Sequence, residues 1–203
     1  MKTYRYSLLL VAIFFTVAAR AQDRPVRLEL SYTAGIPSSN LRNLVDQTSW
    51  RGVEGALMFD INQKLALGIQ SGYQDFYQKY PRAVYNENGS DLSAVVTNSI
   101  QTTPILLKAK YRFGSAGKVQ PFASLAAGGN LISYRKYYGQ FVDSRSSFRF
   151  AGQPELGVNI PLGASGRSAF HLAAGYNFMP FKYNDADGLS HGVIKAGFSF
   201  SLK

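Results

Sequence analysis

The chain holds two histidines and no cysteine, a short inventory for acid–base chemistry or for binding a soft metal. His171 is followed by Leu172-Ala173 and His191 by Gly192-Val193. Neither has a second His or Cys at the close spacing of a metal site. Neither is followed by a serine to activate, and Ser190, just before His191, or Ser144 could serve only if the fold brought its hydroxyl to a histidine ring. Both histidines therefore read as structural, and no catalytic residue, metal or cofactor is expected. Asn184-Asp-Ala-Asp-Gly188 opens like a calcium loop but lacks the later oxygens and the closing Glu, so it reads as an Asx-capped turn. Asn88-Gly-Ser90 reads as a hairpin tip. No phosphate-binding glycine motif is present.

Charge is the richer chemistry. Lys and Arg number 22 against 12 Asp and Glu, a formal charge of +10. The basic residues are scattered (Arg42, Arg51, Lys79, Arg82, Arg135, Lys136, Arg145, Lys182) and form no basic helix, which excludes a nucleic-acid partner. A second set falls at alternate positions among small residues: Arg27, Glu29, Glu54, Lys108, Lys110, Arg112, Glu155 and Lys195. Both signs on one narrow face must pair if that face is buried, because an unpaired buried charge is very costly.

The elements that carry these charges alternate with period two. Ile194, Ala196, Phe198, Phe200 and Leu202 oppose Lys195, Gly197, Ser199 and Ser201. Val26, Leu28, Leu30 and Tyr32 oppose Arg27, Glu29, Ser31 and Thr33, and the same pattern runs through 51–61, 64–75, 100–113, 152–162 and 168–179. Successive strand side chains point to opposite faces, so each segment is a strand with one apolar and one small or polar wall. The segment 119–133 is extended but too rich in Ala and Gly to fix its register. Eight strands result. Pro104 is expected at a strand end or bulge.

Short Gly, Asn and Ser turns at 62–63, 114–118 and 163–168 alternate with long connections at 36–49, 77–98, 134–147 and 180–190. A meander with short turns at one end and long loops at the other fits an eight-stranded antiparallel up-and-down transmembrane β-barrel, with periplasmic turns and extracellular loops. Aromatics near strand ends on the apolar face, such as Phe59, Tyr111 and Phe200 at one end and Tyr32, Tyr73 and Tyr176 at the other, read as two interfacial girdles. In a soluble barrel the charges would lie outside.

Export fits this reading. Lys2 and Arg5 precede an apolar run from Ser7 to Ala18 and an Ala19-Arg20-Ala21 end, the layout of a cleavable signal peptide over residues 1–21. Residues 22–203 then form a single barrel domain. No later segment reaches the 18 or so apolar residues of a membrane helix.

Thr103-Pro-Ile-Leu-Leu-Lys108, Tyr111-Arg-Phe113, a Gly turn, Val119-Gln-Pro-Phe122 and Gly128-Gly129 together resemble the outer-membrane β-barrel (porin-like) family of Gram-negative bacteria. The resemblance implies the small architecture of OmpA, OmpX and OmpW, an outer-membrane location, and a final strand read by the barrel assembly machinery. It departs in ending Phe200-Ser-Leu-Lys203 rather than on an aromatic. It implies no shared catalytic motif.

The expected function is accordingly non-enzymatic: a monomeric structural or surface-binding barrel acting through its loops. A salt-bridge network of Arg27, Glu29, Glu54, Lys108, Lys110, Glu155 and Lys195 is expected to plug the lumen. Tyr134, Arg135, Lys136, Tyr137 and Tyr138 in the third loop are the expected contacts, since Tyr and Arg are enriched at binding hot spots. Arg135 and Arg145 are expected to meet lipopolysaccharide phosphates, whose geometry suits Arg. The alternatives are a small channel for small or apolar solutes and a lipid-modifying enzyme.

Overall fold

The computed structural model describes residues 26–38, 40–87, 90–114, 118–139, 141–163, 167–183 and 186–202. The proposed signal peptide, the Asn88-Gly89 tip and Asn184-Asp185 lie outside these. The elements are β1 (Val26–Pro37), α1 (Leu41–Leu44), β2 (Ser49–Asp60), β3 (Leu65–Lys79), β4 (Ala83–Glu87), β5 (Ser90–Ala94), β6 (Val96–Arg112), β7 (Gln120–Tyr138), β8 (Phe141–Leu162), β9 (Ser168–Asn177), β10 (Lys182–Tyr183), β11 (Ala186–Asp187) and β12 (His191–Ser201). Eight of these strands close an antiparallel barrel in the order β1-β12-β9-β8-β7-β6-β3-β2. β4–β5 and β10–β11 are small separate hairpins in the second and fourth long connections.

Alternation sets the two walls. Leu107 (61 % exposed), Leu125 (60 %) and Leu156 (68 %) point out, while Lys108 (4 %), Lys110 (2 %) and Glu155 (3 %) point in. A chain that exposes its leucines and buries its lysines has lipid, not water, around its wall. In β7, whose register the sequence left open, the even residues from Phe122 to Tyr138 face inward.

Strand length is where the structure departs from expectation. A tilted strand crosses a bilayer in about 9–11 residues, yet β6 has 17, β7 has 19 and β8 has 22. The stretch 134–147 is therefore not a loop. β7 and β8 pair without a register shift up to Tyr138↔Phe141, and Gly139 turns the chain at φ +62°. The second loop shortens likewise, because β3 runs on to Lys79 and β6 starts at Val96. β3, β6, β7 and β8 thus continue as one curved sheet beyond the membrane.

Pro104 also differs. It lies inside β6, paired to Asn130 of β7, at neither a strand end nor a register shift. On its β3 side the ladder skips from Ser71↔Ile105 to Gln74↔Thr102, so the missing N–H leaves a gap rather than ending the strand.

Candidate functional site: lumen and protruding sheet

The lower lumen is ionic. Asp60 accepts from Arg112 at 2.7 Å and from Arg27 at 2.9 Å near the turn end. One layer up, Lys110 meets Glu29 at 2.5 Å and lies over the Phe122 ring at 4.0 Å. Above that, Lys108 and Lys195 share Glu54 and Glu155. Lys108 to Glu155 is 2.8 Å and Lys108 to Glu54 is 4.0 Å; Lys195 reaches Glu54 at 2.5 Å and also bonds Glu155. Ser124 donates to Glu155 at 2.8 Å. The structure brings together all seven residues singled out for this role. Asp60, which joins two of the arginines, was not among them, because it sits last in its strand, next to a turn.

The histidines hold structure. His191 places Nδ1 3.1 Å from the Leu189 carbonyl and Nε2 2.9 Å from the Asn177 amide, with its ring edge-on to Phe76 at 4.8 Å. Donation from Nδ1–H leaves Nε2 to accept, which is the neutral tautomer. His171 Nε2 lies 2.7 Å from Ser31 Oγ. That Ser–His pair is enclosed by the ionic layers, and Glu29, the nearby acid, is bonded to Lys110. It has no geometry for attack on a lipid outside the wall. Among the described residues no group of three His, Cys, Asp or Glu could hold a metal ion.

Above the ions a polar layer follows. Thr33 donates to Gln74 at 2.9 Å, Gln74 to Ser49 at 2.8 Å, and Gln70 bonds Gln153 across the lumen. The top is apolar, which the sequence did not lead one to expect. Phe76, Ile100, Leu106, Ile132, Tyr134 and Ala151 line it, and Leu41, Leu44, Val45, Met179, Phe181 and Leu189 fill it from the loops. The first and fourth connections fold inward as a lid. Loop 1 is tied down where Asn98 and Tyr80 donate to the Leu44 carbonyl at 2.8 and 3.1 Å, and Asp46 N–H donates to Gln78 at 2.7 Å.

The proposed contact residues separate. Tyr134 is fully buried and packs toward Phe181, with ring centroids 6.4 Å apart. Tyr138 is buried beside Ala94 and Val96. These two are core residues, not surface contacts, because the third loop is a strand pair whose even β7 positions face inward. Lys136 lies with its amine 5.0 Å from the Tyr138 ring, on that same inner face. Arg135 and Arg145 do not act as a pair. Arg135 pairs in register with Ser144, whereas Arg145 pairs with Tyr134, so the two arginines occupy opposite faces of the hairpin. Arg135 and Tyr137 share the outer face.

That outer face carries a groove of about 420 Å³ between β3 and β8, lined by Tyr73, Gln101, Thr103, Leu131, Ser133, Ser146 and Phe148. Its apolar members lie nearer the membrane. Gln101, Ser133 and Ser146 form one row of the sheet above them, and Arg135 lies in the next row. Arg51 bonds Asp75 at 3.5 Å and lies with its guanidinium 5.3 Å from the Tyr77 ring.

No curated protein matches the sequence. Among solved structures, Neisserial surface protein A (NspA) is similar with a TM-score of 0.54 at 14 % identity, covering 88 % of this chain and 96 % of that one. The outer membrane protein OprG from Pseudomonas aeruginosa gives 0.50 at 12 %, covering 88 % and 96 %. The outer membrane protease OmpT from Escherichia coli gives 0.42 at 7 %, covering 89 % and 97 %. At such identities the likeness to NspA and OprG speaks to the fold alone. The family described as "Outer membrane protein beta-barrel domain" matches residues 7–201, and with lipid around its wall and charge in its lumen the chain is a member of that family, an outer-membrane β-barrel protein.

Proposed function

We propose that this protein is a non-enzymatic, surface-binding barrel that presents a protruding sheet outside the cell and does not conduct solutes. The observation that carries this reading is the filled lumen. Five cations (Arg27, Lys108, Lys110, Arg112, Lys195) interlock with four anions (Glu29, Glu54, Asp60, Glu155) below, and loop side chains occupy the apolar top. A route for apolar solutes would need that top to be empty, and a route for ions would need the ion pairs broken. The test is single-channel recording of the folded protein in planar bilayers. The expected result is a baseline without steps; a large stable conductance overturns the reading.

The first partner is the glycolipid that surrounds the barrel. The outer groove lies where lipid headgroups begin, with Leu131 and Phe148 for acyl carbons, Ser133 and Ser146 for sugar hydroxyls, and Arg135 for a phosphate. Arg51→Ala combined with Arg135→Ala is expected to lower co-purified lipopolysaccharide several-fold relative to the unchanged protein. Equal lipid content in the two preparations counts against it.

A further inference from the structure

We propose that the turn end of the lumen binds one small monovalent anion of halide size, in a cavity lined by Arg112 of β6 and Asn159 of β8. This cavity lies at the opposite end of the barrel from the lid and the outer groove.

The space comes from the sizes of the side chains at one level. β8, β9 and β12 are neighbours in the barrel, and their residues on the cavity wall are short: Asn159, Ala169 and Ser199. The long side chains on that wall, Arg27, Lys110 and Arg112, come from β1 and β6. Acids on β1 and β2 hold all three. Glu29 takes Lys110 at 2.5 Å, and Asp60 takes Arg112 at 2.7 Å and Arg27 at 2.9 Å. What the short residues leave open is about 40 Å³, room for about two waters or one halide ion.

Two residues on the wall leave a polar atom without a partner. Arg112 is 5 % exposed; its Nη2 donates to Asp60, while its Nε is buried and bonds nothing. The side-chain oxygen of Asn159 is likewise buried and unpartnered. Buried polar groups are rarely left in this condition, because each has lost its water without a replacement. One water between the two would satisfy both, so hydrogen bonding by itself does not choose the occupant.

Charge chooses it. The layer above is balanced, Lys108 and Lys195 against Glu54 and Glu155. At the turn end three cations, Arg27, Lys110 and Arg112, meet two anions, Glu29 and Asp60. One positive charge is left over beside two buried side chains, and an arginine cannot shed its proton to relieve it. A monovalent anion supplies the missing charge and accepts from the Arg112 Nε–H; water does only the second. A divalent oxyanion would reverse the imbalance. The Asn159 amide bonds no described residue, so it can turn its N–H₂ to the ion in place of its oxygen. Arg27, whose side chain is 27 % exposed, sets the rim of the cavity in reach of water.

The test uses the full-length protein folded in micelles and sodium bromide as the probe. Bromide replaces sodium gluconate, whose anion is too large for the cavity, at constant ionic strength. The expected result is a saturating shift of the Arg112 Nε–H resonance, complete within about 100 mM as for a single site of millimolar affinity. The urea midpoint should rise over the same range, because an ion that binds only the folded state stabilises it. Asn159→Asp sets a fixed carboxylate in the cavity. In that variant the bromide response of both readouts should weaken at least tenfold, since the surplus charge is already met. Its fold is checked by the heat-dependent shift in electrophoretic mobility; should it not fold, the titration of the unchanged protein carries the test. An Arg112 Nε–H signal that bromide does not move, or moves without saturating, overturns the proposal and leaves water as the occupant. An undiminished response in Asn159→Asp overturns it as well, because the ion would then be bound elsewhere.

Discussion

Glu155 is the most connected charge in the lumen, accepting from Lys108, Lys195 and Ser124 while itself 3 % exposed. Removing one member of a buried ion pair leaves its partner charged and unsatisfied, at a cost of about 3–5 kcal/mol. Glu155→Gln is therefore expected to lose most of that range, measured by urea unfolding in lipid vesicles. Glu155→Gln with Lys195→Met should lose less than the sum of the two single changes, because Lys108 keeps Glu54 as its acid. An additive double variant would show that the network is not coupled. The inward charges were legible because alternation places them on one face. Depth along the strands sets Glu29 level with Lys110, its partner, but the other pairings were not legible, since strand tilt decides which levels meet, and Glu54 on β2 reaches Lys195 on β12 through that tilt. Ser31 with His171 was illegible for the same reason.

At the scale of elements, the least legible piece is α1 with the turn after it. Leu41, Leu44 and Val45 are buried in the lid, yet three apolar residues in a polar connection show no period long enough to read. Four residues cannot hold a helix by themselves. This one stands because its apolar side chains fill the barrel top and Leu44 O is held by Asn98 and Tyr80. Leu41→Glu with Leu44→Glu should drive loop 1 out of the lumen. Arg42, exposed in the same turn, then reports the change: trypsin should cut after it many times faster in the variant than in the unchanged protein. Equal cutting rates would mean that the lid does not depend on these leucines.

Across the whole molecule, legibility ends where the lipid ends. Inside the membrane one face of each strand meets lipid and the other the lumen, so the contrast is sharp, as in Leu107 against Lys108. Beyond it, the outer face of the sheet meets water, and residues 134–138 and 141–147 lose the alternation that marks a strand although they are paired with each other or along the same hairpin. The same boundary orders the lumen, with ions in the lower layers and the apolar lid above, two barriers in series. Displacing the lid alone should therefore not open a pore. In Leu41→Glu with Leu44→Glu a solute that passes the rim still meets the Gln70–Gln153 bridge and the four-charge cluster of Lys108, Lys195, Glu54 and Glu155. The expected recording is the baseline of the unchanged protein, even while trypsin cuts loop 1. Stepwise conductance in that variant would instead assign the whole barrier to the lid. The ion pairs would then be fasteners of the wall rather than a plug, and the protein would become a gated channel whose lid a surface ligand could lift.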